Sequence, residues 1–190
     1  MAKFKLNFII VLTVISVLLV SVNVYADTDL QNERAQALVN LKIMQGYEDG
    51  SLRLQNKIKR SEFVTLVVKM LGYDKDTDVN NITVDFNDIK KSHWAYSYAR
   101  LSVKYKLIVG TPDKKFSPDS YITYAEALTI LIRSLGYEGT LQGSWPDNVL
   151  NKAIQLGLNK NLDELQNSHQ ITRGEMSVIV YNSLTVNLNQ

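Results

Sequence analysis

Three stretches of the chain share one pattern of hydrophobic and polar positions. In each stretch, apolar residues recur at steps of one, three and four: Phe63, Leu66, Val67, Met70 and Leu71; Ala127, Ile130, Leu131 and Leu135; Met176, Ile179, Val180 and Leu184. Such spacing places apolar side chains on one face of an α-helix. The pattern therefore predicts three amphipathic helices that are copies of one repeated unit.

Two of these helices begin with a recognisable capping sequence. Thr123 and Thr172 each precede a glutamate by three positions, the spacing of a capping box in which hydroxyl and carboxylate each accept a backbone amide. Lys59 takes the place of the threonine in the first copy. Because losing a capping hydroxyl costs about 1 kcal/mol, we expect the first of these helix starts to be the least well fixed.

A second helix precedes each capped helix. At the same distance upstream of Ile58, Ile122 and Ile171, the three copies carry Gly46, Gly110 and Asn159. Glycine reaches positive φ without penalty and asparagine tolerates it. We therefore predict a left-handed residue here that closes the preceding helix. Each unit is then a helix, a turn, a loop and a capped helix.

The predicted fold follows from the need to bury the apolar faces. One helix pair cannot cover its own apolar face, so the three pairs are expected to pack into one all-α, pseudo-threefold bundle of helix-loop-helix repeats. The capped helices should form its centre. The predicted repeats span residues 27–73, 86–137 and 145–190, the third being degenerate, with linkers at 74–85 and 138–144.

The first 26 residues have the order of a secretory signal peptide. Lys3 and Lys5 precede an apolar run from Phe8 to Val22, and Val24-Tyr25-Ala26 is a small-residue cleavage pattern. A retained membrane anchor is the competing interpretation, since the run approaches the length that spans a bilayer. We favour cleavage after residue 26, which predicts a secreted protein with no stable membrane insertion.

Charge and cysteine content exclude several functions. The chain has 21 Lys and Arg against 19 Asp and Glu, and removal of Lys3 and Lys5 brings the net charge near zero. This argues against a nucleic-acid partner, which requires a basic face. With no cysteine, disulfides and thiolate metal sites are excluded. No paired carboxylates stand in a catalytic context, and we expect no enzymatic activity and no cofactor.

The linker at 74–85 contains an Asp-x-Asp-x-Asp sequence similar to a calcium loop. Such a loop needs glycine at its sixth position and a bidentate carboxylate at its twelfth. Val79 and the short Asp85 occupy those positions. A solvated linker is the better interpretation, and no metal site is predicted.

Several segments together resemble the S-layer homology (SLH) repeat. The second unit carries the fullest match, in Phe86-Asn87-Asp88, His93-Trp94-Ala95, Leu107-Ile108-Val109-Gly110 and Ile122-Thr123-Tyr124-Ala125-Glu126. The first unit matches from Met44 to Leu52 and from Lys59 to Phe63, and the third matches more loosely from Trp145. Three such units in register cover nearly the whole chain after residue 26.

The resemblance implies a function and a set of site residues. SLH domains bind secondary cell-wall polysaccharides, often carrying ketal-linked pyruvate, in grooves between repeats that use the arginine of the capped-helix motif. The implied ligand-binding residues are Arg60, Arg173, Thr172, Asp88, Trp94, Gly46, Gly110 and Trp145. Tyr124 stands where the family has arginine, which predicts at most two competent grooves.

The physics of the arginine position leaves two interpretations. Arg60 and Arg173 follow directly after the cap, where a positive charge meets the positive end of the helix dipole. Simple solvent exposure would make this tolerable. Alternatively, free helix amides and the guanidinium together form an anion site.

The resemblance favours the anion site. It implies a non-catalytic module that anchors to the bacterial cell surface through an anionic cell-wall polysaccharide. The alternative is a degenerate repeat protein that assembles with another envelope or S-layer protein outside the cell. The Tyr124 replacement and the expected absence of a cargo domain motivate that alternative.

Overall fold

The computed structural model describes residues 28–109, 113–162 and 165–189. The predicted signal peptide and Gly110 lie outside the described residues. The described part contains six α-helices and no strand: α1 at residues 28–40, α2 Arg60–Met70, α3 Tyr96–Lys104, α4 Tyr124–Ser134, α5 Asp147–Leu156 and α6 Arg173–Ser183. The all-α prediction is confirmed. Within those ranges, no helix is long and apolar enough to cross a membrane.

The three capped helices α2, α4 and α6 form the centre of the molecule. Seven of the 11 residues of α2, seven of 11 in α4 and eight of 11 in α6 are buried. By contrast, α3 buries three of nine residues and α5 two of ten. The outer helices therefore cover the central ones, as the wider apolar stripes of the capped helices predicted.

A closed ring of backbone hydrogen bonds joins the three predicted repeats immediately before the capped helices. The Ile58 amide donates to the Ile171 carbonyl at 3.0 Å, the Ile171 amide to the Ile122 carbonyl at 3.2 Å, and the Ile122 amide to the Ile58 carbonyl at 3.2 Å. All three side chains are buried. Each repeat thus supplies one link of a ring that no repeat could form alone.

The helix starts match the capping prediction. Thr123 Oγ1 accepts the Glu126 amide at 3.4 Å, and Thr172 Oγ1 accepts the Glu175 amide at 3.1 Å. At α2 only the carboxylate half forms, because the lysine ammonium has no lone pair. Glu62 accepts the Lys59 amide at 2.8 Å, while Lys59 Nζ donates to Asp119 of the second repeat at 2.7 Å.

The predicted left-handed residue lies elsewhere. Lys42, Lys106 and Gly157 have φ of 61°, 57° and 71°, and the amide that follows each of them donates to a carbonyl five residues before it. Gly46 is not left-handed; a Cβ there would lie 3.2 Å from the Ser51 carbonyl oxygen. Asn159 does not have a positive φ either, and Gly157 closes the helix two positions earlier. The prediction for Gly46 and Asn159 was therefore wrong.

The segment at 74–85 is folded against the second repeat. It forms 3₁₀ turns at Tyr73–Lys75 and Thr77–Asn81, and Val79 and Ile82 pack against the core. The Asp76 carboxylate accepts from Lys104 Nζ at 2.6 Å and from Tyr105 Oη at 2.8 Å. The segment is therefore attached to α3 and not simply solvated.

Candidate ligand-binding grooves

The first amides of the capped helices are not free. In each helix the first two backbone N–H groups donate to carbonyls in the loop of a neighbouring repeat, at 2.8 to 3.2 Å. The pairs are Arg60 to Ser120, Ser61 to Pro118, Tyr124 to His169, Ala125 to Asn167, Arg173 to Asn56 and Gly174 to Leu54. The expected anion site made of free helix amides is therefore wrong, because these donors are already satisfied. At these six positions no helix amide is left for an anion.

Arg173 is held by the loop of the first repeat. Its Nε donates to the Leu52 carbonyl and its Nη2 to the Gln45 carbonyl, both at 2.8 Å. The Tyr47 ring lies 5.0 Å from the guanidinium carbon, and only 7% of the residue is exposed. Solvent exposure therefore does not explain this arginine. It connects the start of α6 to the turn after α1.

Arg60 has a different environment from its counterpart. Its Nη1 lies 3.7 Å from Glu126 Oε1, which is the only ion pair it makes within the described ranges. Burial lowers the pKa of the Arg60 guanidinium, and the nearby Glu126 carboxylate opposes that shift. The side chain remains charged at neutral pH, since arginine keeps its proton in proteins.

A cavity of about 180 Å³ lies where the three repeats meet beside Arg173. We call it the Trp94 groove, and define it by its polar and aromatic lining: Gln45, Glu62, Thr65, Lys69, Trp94 and Arg173. Trp94 is 57% exposed although it is a large aromatic residue. An exposed indole beside polar groups can stack on the apolar face of a sugar ring.

An equivalent set of side chains lies around α4, where Arg60 faces Glu126 and Trp145 is bonded to Thr129. We call it the Trp145 cluster, and it comprises Arg60, Glu126, Thr129, Arg133 and Trp145. Trp145 is 58% exposed, and its Nε1 donates to Thr129 Oγ1 at 3.2 Å. Arg133 Nε donates to Glu138 at 2.7 Å. The same residue types therefore occur beside both α2 and α4.

The third interface, which involves Tyr124 at the start of α4 and the helix α6, lacks these residue types. Tyr124, at the position of the two arginines, is only 2% exposed, so it cannot stack on a sugar. On α6 the positions equivalent to Thr65 and Lys69 carry Val178 and Asn182. The side-chain amide of Asn182 donates to the Leu158 and Lys160 carbonyls.

The other predicted site residues have structural contacts in the described part. Thr172 is the N-cap of α6. The Asp88 carboxylate accepts the Phe116 and Ser117 amides, each at 2.8 Å, and so fixes the loop of the second repeat. Gly46 allows a close turn beside the Trp94 groove. His93, which is not one of the predicted site residues, caps the segment before α3, where its Nδ1 accepts the Ala95 amide at 3.1 Å.

Sequence reasoning missed the threonine and the cation on the capped helices. Thr65 and Lys69 follow Glu62 at the same offsets at which Thr129 and Arg133 follow Glu126. Steps of three, four and seven place such residues on one helical face. Their presence in two repeats and absence from the third was the signal that could have identified them.

The family model described as "S-layer homology domain" matches residues 33–64 and 85–128. These segments include α3, the starts of α2 and α4, and the loops that carry Gln45 and Trp94.

Several known proteins similar to this chain are named as cell-surface or cell-wall proteins. The "Middle cell wall protein" of Brevibacillus brevis is 31% identical over 162 residues, or 85% of this chain. The "Surface layer protein" of Brevibacillus choshinensis is 30% identical over 65% of the chain, and the "Cellulosome-anchoring protein" of Acetivibrio thermocellus is 33% identical over 52%. The chain spans 15%, 11% and 22% of these relatives. Together with the family match, they support a secreted protein associated with the cell wall.

Proposed function

We propose that this chain is a non-catalytic module that anchors to the bacterial envelope by binding an anionic, pyruvylated secondary cell-wall polysaccharide. Binding takes place between repeats, at the Trp94 groove and the Trp145 cluster. The observation that carries the proposal is the duplication of one chemistry, an exposed indole beside a threonine, a glutamate and two cations, at two interfaces of the same molecule.

The two indoles are suited to carbohydrate. An indole more than half exposed leaves a large apolar area in water, and stacking on a sugar ring would bury it. The surrounding hydroxyls, carboxylates and cations can then pair with sugar hydroxyls and with an acidic substituent. Thr172, Asp88 and Gly46 act by holding the loops in place.

The repeat arrangement supports the same proposal. The ring of hydrogen bonds at Ile58, Ile122 and Ile171 is what a pseudo-threefold bundle would produce, and it fixes the geometry of each interface. We propose that the third interface has lost its ligand, because a buried tyrosine replaces the arginine there.

Retention on purified cell-wall sacculi tests the function. A Trp94→Ala/Trp145→Ala double variant should lose most of its retention, since both stacking surfaces are removed while the buried core is unchanged. Tyr121→Ala, which removes another exposed aromatic outside both sites, is the matched control and should bind as the parent does. Sacculi stripped of their secondary polymer should retain neither the parent protein nor the Tyr121→Ala variant.

An alternative outcome identifies the competing function. Unchanged retention of the double variant would contradict the proposed sites. If the parent protein does not bind sacculi and instead co-purifies with one envelope or S-layer protein, the chain is an extracellular assembly subunit. The lost third interface is the observation that favours this candidate.

A further inference from the structure

We infer that the acidic group of the ligand is bound in the Trp94 groove, and that the cation contacting it is Lys69. This inference rests on the proposed function. It states which of the two similar interfaces binds the acidic group of the ligand, and which side chain contacts that group.

The first step concerns the charge at the two interfaces. In the Trp145 cluster each cation already faces a carboxylate, Arg60 at 3.7 Å from Glu126 and Arg133 at 2.7 Å from Glu138. Asp88 adds a further negative charge near Arg60. An incoming acid would have to compete with these carboxylates, which disfavours its binding there.

The Trp94 groove has the opposite balance. Its lining includes two cations, Lys69 and Arg173, and one carboxylate, Glu62. Arg173 donates to two backbone carbonyls and is almost fully buried. Lys69 makes no ion pair with any residue that the structure describes. Its ammonium nitrogen lies 5.9 Å from the centre of the Tyr98 ring. It is therefore the cation available to a ligand.

The second step concerns access. The Trp145 indole is bonded to the Thr129 hydroxyl, so it is held against α4. The Trp94 indole makes no hydrogen bond to any described residue. The equivalent hydroxyl of Thr65 is buried and has no hydrogen-bond partner in the described part. The Trp94 indole N–H is thus not engaged by a described residue as that of Trp145 is, and the Trp94 groove contains a polar group whose pairing is incomplete.

Tryptophan fluorescence can follow the two interfaces separately, because the chain has only two tryptophans. Trp145→Phe leaves Trp94 as the reporter of its groove, and Trp94→Phe leaves Trp145. The probes are a methyl glycoside that carries a ketal-linked pyruvate and the same glycoside without it. We expect Trp94, but not Trp145, to report tighter binding of the pyruvylated probe.

Substitutions at Lys69 identify the cation. In the Trp145→Phe background, Lys69→Gln should weaken binding of the pyruvylated probe by about tenfold or more, since a charge-assisted hydrogen bond is lost. Binding of the neutral probe should change little. Lys69→Arg should restore the preference, and Lys75→Gln, the same chemical change at an exposed site outside both interfaces, should leave it intact.

The outcomes separate this inference from the proposed function. If Trp145 alone reports the preference, or if Lys69→Gln leaves it unchanged, the inference is overturned while pyruvate recognition stands. If neither tryptophan distinguishes the two probes, the proposed ligand is wrong and the inference fails with it.

Discussion

At the scale of single residues, similar positions in the three repeats have taken different roles. Arg60 and Arg173 occupy the same place on their helices, yet one faces a carboxylate and the other donates to two carbonyls. The third copy has a buried tyrosine there. Lys59 shows the same divergence, because it replaces a capping hydroxyl with an ion pair to Asp119.

Lys59 offers a direct test of the capping argument. Lys59→Thr should raise the free energy of unfolding, because a capping hydroxyl contributes more to stability than an exposed ion pair does. Urea denaturation measures the change. Asp119→Asn is the control that removes the ion pair alone. If Lys59→Thr destabilises the protein as much as Asp119→Asn does, the added hydroxyl contributes nothing to the stability of this helix start.

At the scale of elements, several helices and segments are fixed by residues outside themselves. The first amides of α2, α4 and α6 donate to loops of neighbouring repeats. The segment at 74–85 is attached to α3 in two ways. Arg100 donates to the Asn80 and Ile82 carbonyls, and the Asp76 carboxylate accepts from Lys104. Hydrogen bonds from Lys104, from the Asp78 amide and from Tyr105 lower the pKa of Asp76 from 3.8 to about 2.

This pKa predicts the direction of a pH effect. Because the folded pKa lies below the unfolded one, Asp76 contributes stability that is fully present above about pH 4 and is lost as the pH falls toward 2. Asp76→Asn should therefore lower the melting temperature at pH 6 and make it less steeply dependent on pH between 4 and 2. Thermal unfolding monitored by circular dichroism measures both. Parallel curves for the two proteins would show that this attachment does not contribute.

At the scale of the whole molecule, the sequence predicts the local features of the fold but not the contacts that join one repeat to another. Helix periodicity and the threonine caps are short-range signals, so the all-α fold and two helix starts could be predicted. The left-handed Lys42 and Lys106 give no such signal, since lysine rarely adopts positive φ. The occupied helix amides and the bonds of Arg173 depend on loops far away in sequence, and no spacing rule indicates them.

These shared contacts predict that the three repeats unfold together. Carbonyls in each repeat accept hydrogen bonds from helix amides of a neighbouring repeat, and each repeat contributes one isoleucine to the closed ring of backbone hydrogen bonds. Opening one repeat would therefore leave unpaired backbone groups in the others. In the single-tryptophan variants, Trp94 reports the second repeat and Trp145 the third, while circular dichroism reports all helices. The three urea transitions should coincide.

A substitution in the ring strengthens the test. Ile122→Ala should lower stability by about 2–5 kcal/mol, the usual cost of deleting that much of a buried side chain. If the repeats are one cooperative unit, all three transitions move to lower urea by the same amount. A transition at Trp94 that moves while the Trp145 transition stays would show that the second repeat opens alone. In that case a groove formed between repeats would not keep its shape independently of its ligand.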